Sequence, residues 1–210
     1  YIDLYRIHWP FENMQIDEAI ETFEEMKRKG LIRYVGLSNF SKKDLEYCLS
    51  KTEIATYQGL YNLLEPNSEI YHHKKLEYRS KKEILPICKE RGMAFLAYSP
   101  LFQGLLTGCF KLENNFDKND DRAKNPKLNS DTYKFYYKIV EELKEIAKEI
   151  GKPLSQISIN WLVNQEEIGP VICSAQTPEQ IEENVESTSW TLTKDIEERI
   201  EGILKKYNII

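Results

Sequence analysis

Tyr1-Ile-Asp-Leu-Tyr-Arg-Ile-His-Trp-Pro10 alternates apolar and polar residues at the period of a strand and delivers a histidine, His8, to that strand's C-terminal end. The chain begins there, with Tyr rather than Met and with no signal or transit segment ahead of it. A strand without its preceding neighbours leaves backbone groups open along an edge, so the 210 residues are expected to be the larger, C-terminal part of something longer.

Outward from this strand the periods alternate. Ile16, Ala19, Ile20, Phe23 and Met26 recur at helical spacing up to Gly30, which suits a C-terminal cap. Arg33 to Leu37 reads as a strand, Ser41 as the cap of a helix burying Leu45 and Leu49, and Ile54 to Gln58 as a further strand. A helix over Ser80 to Arg91 precedes Gly92 and the strand Met93 to Tyr98. After a polar loop, Glu113 to Asp131, come helices from Thr132 to Ile150 and from Pro153, a strand from Gly169 to Cys173, and helices over Thr177 to Val185 and Thr193 to Tyr207.

Five strands separated by helices imply an α/β fold with parallel pairing and right-handed crossovers. His8, Ser38, Asn39, Gln58, Tyr98 and Ser99 fall at the C-terminal ends of successive strands, where a barrel active site is built. A doubly wound nucleotide fold would show a Gly-rich phosphate turn early, and neither GxGxxG nor GxxxxGK[ST] occurs. The expectation is therefore a partial (β/α)8 TIM barrel.

Composition narrows the function classes. A net charge of −5 with interspersed Lys and Arg argues against binding a phosphate backbone, so no nucleic-acid partner is expected. No run of eighteen apolar residues exists to form a membrane helix. Cys48, Cys88, Cys109 and Cys173 lie far apart, without a CxxC pair or metal-ligand spacing, which fits reduced thiols in a cytoplasmic protein. His72 and His73, in a polar stretch, read as solvated loop residues rather than metal ligands.

Five segments, YIDLYRIHWP (1–10), GLIRYVGLSNFS (30–41), YQGLYNLL (57–64), AYSPLFQGLLTG (97–108) and PVICSAQTPEQIEENV (170–185), stand in an order and spacing that resemble the aldo-keto reductases. The resemblance implies a (β/α)8 barrel that reduces aldehydes or ketones with NADPH and without metal. It makes the visible strands the fourth to eighth, so residues 1–210 would be the C-terminal portion of one barrel domain of about 250 residues or more.

The same resemblance implies residue roles. His8 would orient and polarise the substrate carbonyl, and Trp9 would line the substrate pocket. Ser38, Asn39 and Gln58 match residues that hold a nicotinamide carboxamide, which offers one acceptor and two donors. Tyr98 would stack on the nicotinamide ring, while Ser99, Pro100 and Leu101 would begin a loop over the pyrophosphate. Ser174, Gln176, Gln180, Glu183 and Asn184 match the adenosine end, at a helix N-terminus suited to phosphate. Cys109 and Gln176 stand where the family usually places a cation or a hydroxyl, so NADP is expected with NAD as an alternative. The family's proton-donating tyrosine, with its lysine and aspartate, matches no residue here. That absence implies that this chain by itself is inactive, either as a cofactor-binding module or as a remnant.

Overall fold

The computed structural model describes residues 1–113 and 116–210, so residues 114–115 of the polar loop lie outside the described residues. Its main sheet has five parallel strands: β1 (Ile2–Ile7), β2 (Ile32–Ser38), β3 (Thr56–Leu60), then, after a short hairpin of β4 (Ile70–Tyr71) and β5 (Lys74–Lys75), β6 (Ala94–Tyr98) and β7 (Ile168–Ile172). Between and after them run α1 (Ile16–Arg28), α2 (Lys42–Lys51), α3 (Leu85–Arg91), α4 (Ser130–Ile150), α5 (Leu154–Val163), α6 (Pro178–Glu186) and α7 (Lys194–Lys206).

Local chemistry sets these boundaries. The Ser41 hydroxyl accepts the Asp44 amide at 3.1 Å and starts α2. Gly151 stops α4 in the left-handed region, φ 66°, which a residue with a Cβ enters at a penalty. The stretch read as one helix over Ser80 to Arg91 instead opens with a π-helical turn, Ser80–Ile84, before α3. Pro86 has no N–H to give the regular ladder, and the preceding amides bond one residue further back, Ile84 to the Arg79 carbonyl at 3.3 Å.

The α/β reading holds, and each strand lies within two residues of its expected place. The partial (β/α)8 barrel does not hold. The strands form one open parallel sheet in the order β1-β2-β3-β6-β7 with β1 and β7 as its edges, and strand pairing assigns none of them a place in a closed barrel. One face of the sheet is covered by helices, with Val35, Leu37, Tyr57 and Phe95 in the core beside Phe23 of α1, Leu45 of α2 and Ile87 of α3. α5 buries nine of its ten residues, and Asn160 inside it is satisfied by the Ser187 and Trp190 carbonyls at 2.8 and 2.6 Å.

On one row across β1, β2 and β3 lie Arg6, Gly36 and Thr56. A Cβ on Gly36 would stand 2.4 Å from the Thr56 hydroxyl oxygen and 3.1 Å from Arg6 Nε. Gly36→Ala is therefore expected to lower unfolding free energy by about 1–3 kcal/mol in a urea titration, with a smaller loss in a Thr56→Ala background. Equal losses in both backgrounds would rule out this contact as the cause.

Candidate functional site

Parallel pairing puts the C-terminal ends of all five strands on one edge. Ser38 of β2 stands opposite Gln58 of β3, Gln58 opposite Leu96, and Tyr98 of β6 opposite Ile172 of β7. His8 follows β1 directly and is exposed, and Trp9 beside it is half-buried, their rings 6.5 Å apart.

Asn39 joins these ends. It sits at φ 63°, a left-handed conformation that asparagine tolerates better than most residues. Its amide nitrogen donates to the His8 carbonyl and to the Ser38 hydroxyl, each at 3.0 Å. Its carbonyl oxygen accepts the Tyr78 and Tyr98 hydroxyls, both at 2.9 Å. Protein groups thus occupy both donors and both acceptor positions of this side chain. Ser38 is fully buried and keeps its own hydroxyl proton to donate.

Gln58 is held from the sheet face. Its side-chain oxygen accepts from Arg6 Nη1, and Arg6 Nη2 reaches Thr56 at 3.4 Å. Burial lowers the pKa of Arg6, whose Nε is buried without a protein partner.

The segment after β6 is conformationally strained, with Ser99, Phe102 and Gln103 at φ 58°, 46° and 52°. Asn62 donates to the Ser99 carbonyl at 3.0 Å and to Glu65 at 2.8 Å, and Glu65 pairs with Lys127 at 2.5 Å. That pair is the most buried ion pair among the described residues, with 4% of the Glu65 and 13% of the Lys127 side chain exposed. Pro100 is buried and Leu101 half-buried beside these residues.

The β4–β5 hairpin lies over this edge. Tyr71 packs edge to face with Tyr98, ring centroids 5.0 Å apart, and the Lys74 ammonium lies 4.9 Å from the Trp9 ring centroid. His72, expected to be a solvated loop residue, is half-buried instead. Its Nδ1 lies 3.4 Å from Gln103 Nε2, its Nε2 is buried without a partner, and burial lowers its pKa.

Burial pushes the Tyr98 phenol far above the ordinary tyrosine value, with Tyr78 adding to the shift, and pushes Tyr78 up to about 12. The buried thiols of Cys48 and Cys88 rise to about 11 and about 12 for the same reason. Each group keeps its proton in the fold at a pH where the unfolded chain loses it. The stability they contribute is complete below the unfolded values of about 9 to 10 and is lost as pH rises through the folded ones. Unfolding midpoints in urea are expected to fall steadily from pH 9 to 12, with the last tyrosinate absorbance appearing only as helical signal is lost. Full tyrosine ionisation in the folded chain would contradict this.

Ser174, Gln176, Gln180, Glu183 and Asn184 form a separate group after β7. The first four are exposed and Asn184 is half-buried. The Gln180 side chain accepts the Gln176 amide at 2.7 Å, Thr177 caps α6, and Glu183 accepts a hydrogen bond from the Ser155 hydroxyl. No direct hydrogen bond joins this group to the Asn39 cluster among the described residues; adjacency of β6 and β7 is the link. Tyr78, Asn62, Glu65, Lys127, Arg6 and the hairpin were not legible as site residues. Nothing in the local spacing of Tyr78 or Lys127 marks either residue, because their partners are distant in sequence.

Comparison with known proteins bears on the family and the fold. The model of the aldo/keto reductase family matches residues 1–205. Aldo-keto reductase YhdN of Bacillus subtilis is 32% identical over 206 residues, covering 98% of this chain and 59% of that protein. An NADH-specific methylglyoxal reductase of Escherichia coli is 26% identical, over 92% of this chain and 56% of its own length. The solved structure of a glycerol dehydrogenase from Gluconobacter oxydans superposes with a TM-score of 0.85 at 28% identity, covering 100% of this chain and 60% of that one. The chain therefore spans rather less than two thirds of the length of these relatives. The matches take in essentially all of this chain and fit its α/β fold; they do not support assigning it to strands four to eight of a barrel or to a C-terminal portion. By the extent of these matches, the chain belongs to the aldo/keto reductase family.

Proposed function

We propose that this chain binds a nicotinamide dinucleotide along the C-terminal edge of its sheet and serves an NAD(P)H-dependent oxidoreductase that converts aldehydes or ketones to alcohols. The observation that carries this reading is the knot at Asn39, which ties the strand ends bearing His8, Ser38 and Tyr98 into one rigid constellation.

The donor set suits a nicotinamide carboxamide. Gln58, its oxygen taken by Arg6, offers its NH₂ from a half-buried position, and the Ser38 hydroxyl, fully buried in the ligand-free edge, has a proton to donate once the edge opens to admit the carboxamide. Asn39, already saturated, acts as a positioning residue that fixes Ser38 and the turn after His8. Tyr98 supplies an aromatic surface for the ring, and Ser99, Pro100 and Leu101 lead the chain along the diphosphate. Ser174, Gln176, Gln180, Glu183 and Asn184 would meet the adenosine end. A bound reduced nicotinamide would supply hydride to the carbonyl carbon, and the proton that completes the alcohol would come from water or from a donor that the described residues do not supply. His8 donates a hydrogen bond to the carbonyl oxygen, orienting it and stabilising the negative charge that grows there. Trp9 forms an apolar wall of the substrate pocket.

With Cys109 and Gln176 in place of cations, NADPH is expected to hold little advantage over NADH. Fluorescence titration of both cofactors tests this, and Ser38→Ala is expected to weaken each roughly fivefold, the worth of one hydrogen bond. In the full-length enzyme, His8→Ala is expected to lower kcat for an aromatic aldehyde about a hundredfold, the loss typical of one donor to a developing oxyanion. Unchanged turnover would remove His8 from the mechanism, and unchanged cofactor affinity would remove Ser38.

A second reading, cofactor binding without turnover, is favoured by one observation. The Tyr61 and Tyr98 hydroxyls are committed to Gln165 and Asn39, and burial raises both pKa values, so neither suits a proton donor. Cofactor binding with no aldehyde-dependent oxidation of NADPH would select it.

A further inference from the structure

The connection from β3 to the π-helical turn at Ser80 is long for a strand-to-helix link, and a link of this length usually carries function. It holds the β4–β5 hairpin, which is fixed in place rather than loose. Lys127 Nζ donates to the Ile70 carbonyl at 2.7 Å, Tyr71 packs on Tyr98, and the Leu76 amide closes on the Glu69 carbonyl at 2.8 Å. So anchored, the hairpin sets the Lys74 ammonium over the Trp9 ring, 4.9 Å from its centroid, next to His8.

The carboxylates of this region are engaged elsewhere. Glu65 pairs with Lys127, Glu69 with Arg79, Glu77 with Lys75 and Asp121 with Lys124, at 2.5 to 2.9 Å. Lys74 makes no ion pair among the described residues, so its charge is balanced only by the face of an indole. A cation–π contact leaves most of the ammonium's donors open.

We propose that Lys74 is a specificity residue that selects flat, carboxylate-bearing carbonyl compounds, with the apolar body against Trp9 and the carboxylate at the ammonium. This rests on the reading of His8 and Trp9 as the carbonyl end of the site. Neighbouring Lys75 is a natural control, because its charge is answered by Glu77 at 2.9 Å.

The test is calorimetric binding of two product-like alcohols to the full chain with NADP present: para-(hydroxymethyl)benzoate and benzyl alcohol. The unmodified chain is expected to prefer the carboxylate, by a margin that shrinks with added salt. Lys74→Gln is expected to cut affinity for the carboxylate roughly fivefold more than for benzyl alcohol, the upper range for an exposed ion pair. Lys74→Arg retains the preference, and Lys75→Gln leaves the ratio unchanged. Absence of a preference in the unmodified chain, whether both ligands bind equally or neither binds, overturns the proposal, as does an unaltered ratio in Lys74→Gln. A charge preference that persists where no aldehyde is reduced would unseat the reductase reading and leave this one standing.

Discussion

Asn39→Ala is expected to lower the free energy of unfolding by about 3–4 kcal/mol and to abolish measurable cofactor binding. Two buried hydroxyls, Tyr78 and Tyr98, lose their shared acceptor, and an unsatisfied buried donor costs about 1–3 kcal/mol. A Cβ in the left-handed region without asparagine's local bonding adds about 1 kcal/mol. Asn39→Gly separates these contributions, because glycine accepts φ 63° and should recover roughly the backbone share alone. The hydroxyl share has its own check. Tyr98→Phe should destabilise the unmodified chain yet do little, or even help, in the Asn39→Ala background, where the hydroxyl has already lost its acceptor. Urea unfolding of the four variants reads all of this, and a loss below 1 kcal/mol for Asn39→Ala would mean that water replaces the amide and that the knot is not what orders the edge.

How far the sequence disclosed this arrangement depends on the range of the interactions involved. Strands and helices were legible because hydrophobic period and caps are local: Ser41, Gly92 and Gly151 fulfil the roles that their positions suggest. His8, Ser38, Asn39, Gln58 and Tyr98 could be placed at strand ends for the same reason. Asn39's actual work could not be read, because it bonds residues 31 positions before it and 39 and 59 after it. The assignment of these strands to part of a barrel went wrong on similar grounds. Which strands become edges is decided by pairing between distant segments, and polar residues at strand ends suit an open parallel sheet as well as a barrel. The hairpin escaped notice because two strands of two residues each carry no periodic signal.

Lys127→Met is expected to have the largest effect on stability, about 3–5 kcal/mol, because it strands the buried Glu65 carboxylate with only the Asn62 amide for company. At this chain length that is a fall in melting temperature of roughly 6–20 °C. The ammonium also holds the Ile70 carbonyl and the Ser68 hydroxyl, so hairpin, β3 loop and the segment before α4 loosen together. Glu65→Gln with Lys127→Met removes both charges and should recover at least half of the loss, since the penalty is mostly that of an unpaired buried charge rather than of a missing attraction. Asn62 keeps an acceptor in the double variant and continues to hold the Ser99 carbonyl. Cofactor affinity should therefore return together with stability if the pair acts by positioning the strained segment after β6. Stability that returns while cofactor affinity stays low would instead place Lys127 itself against the cofactor, and equal losses in the single and double variants would show that the ion pair is not what ties these loops together.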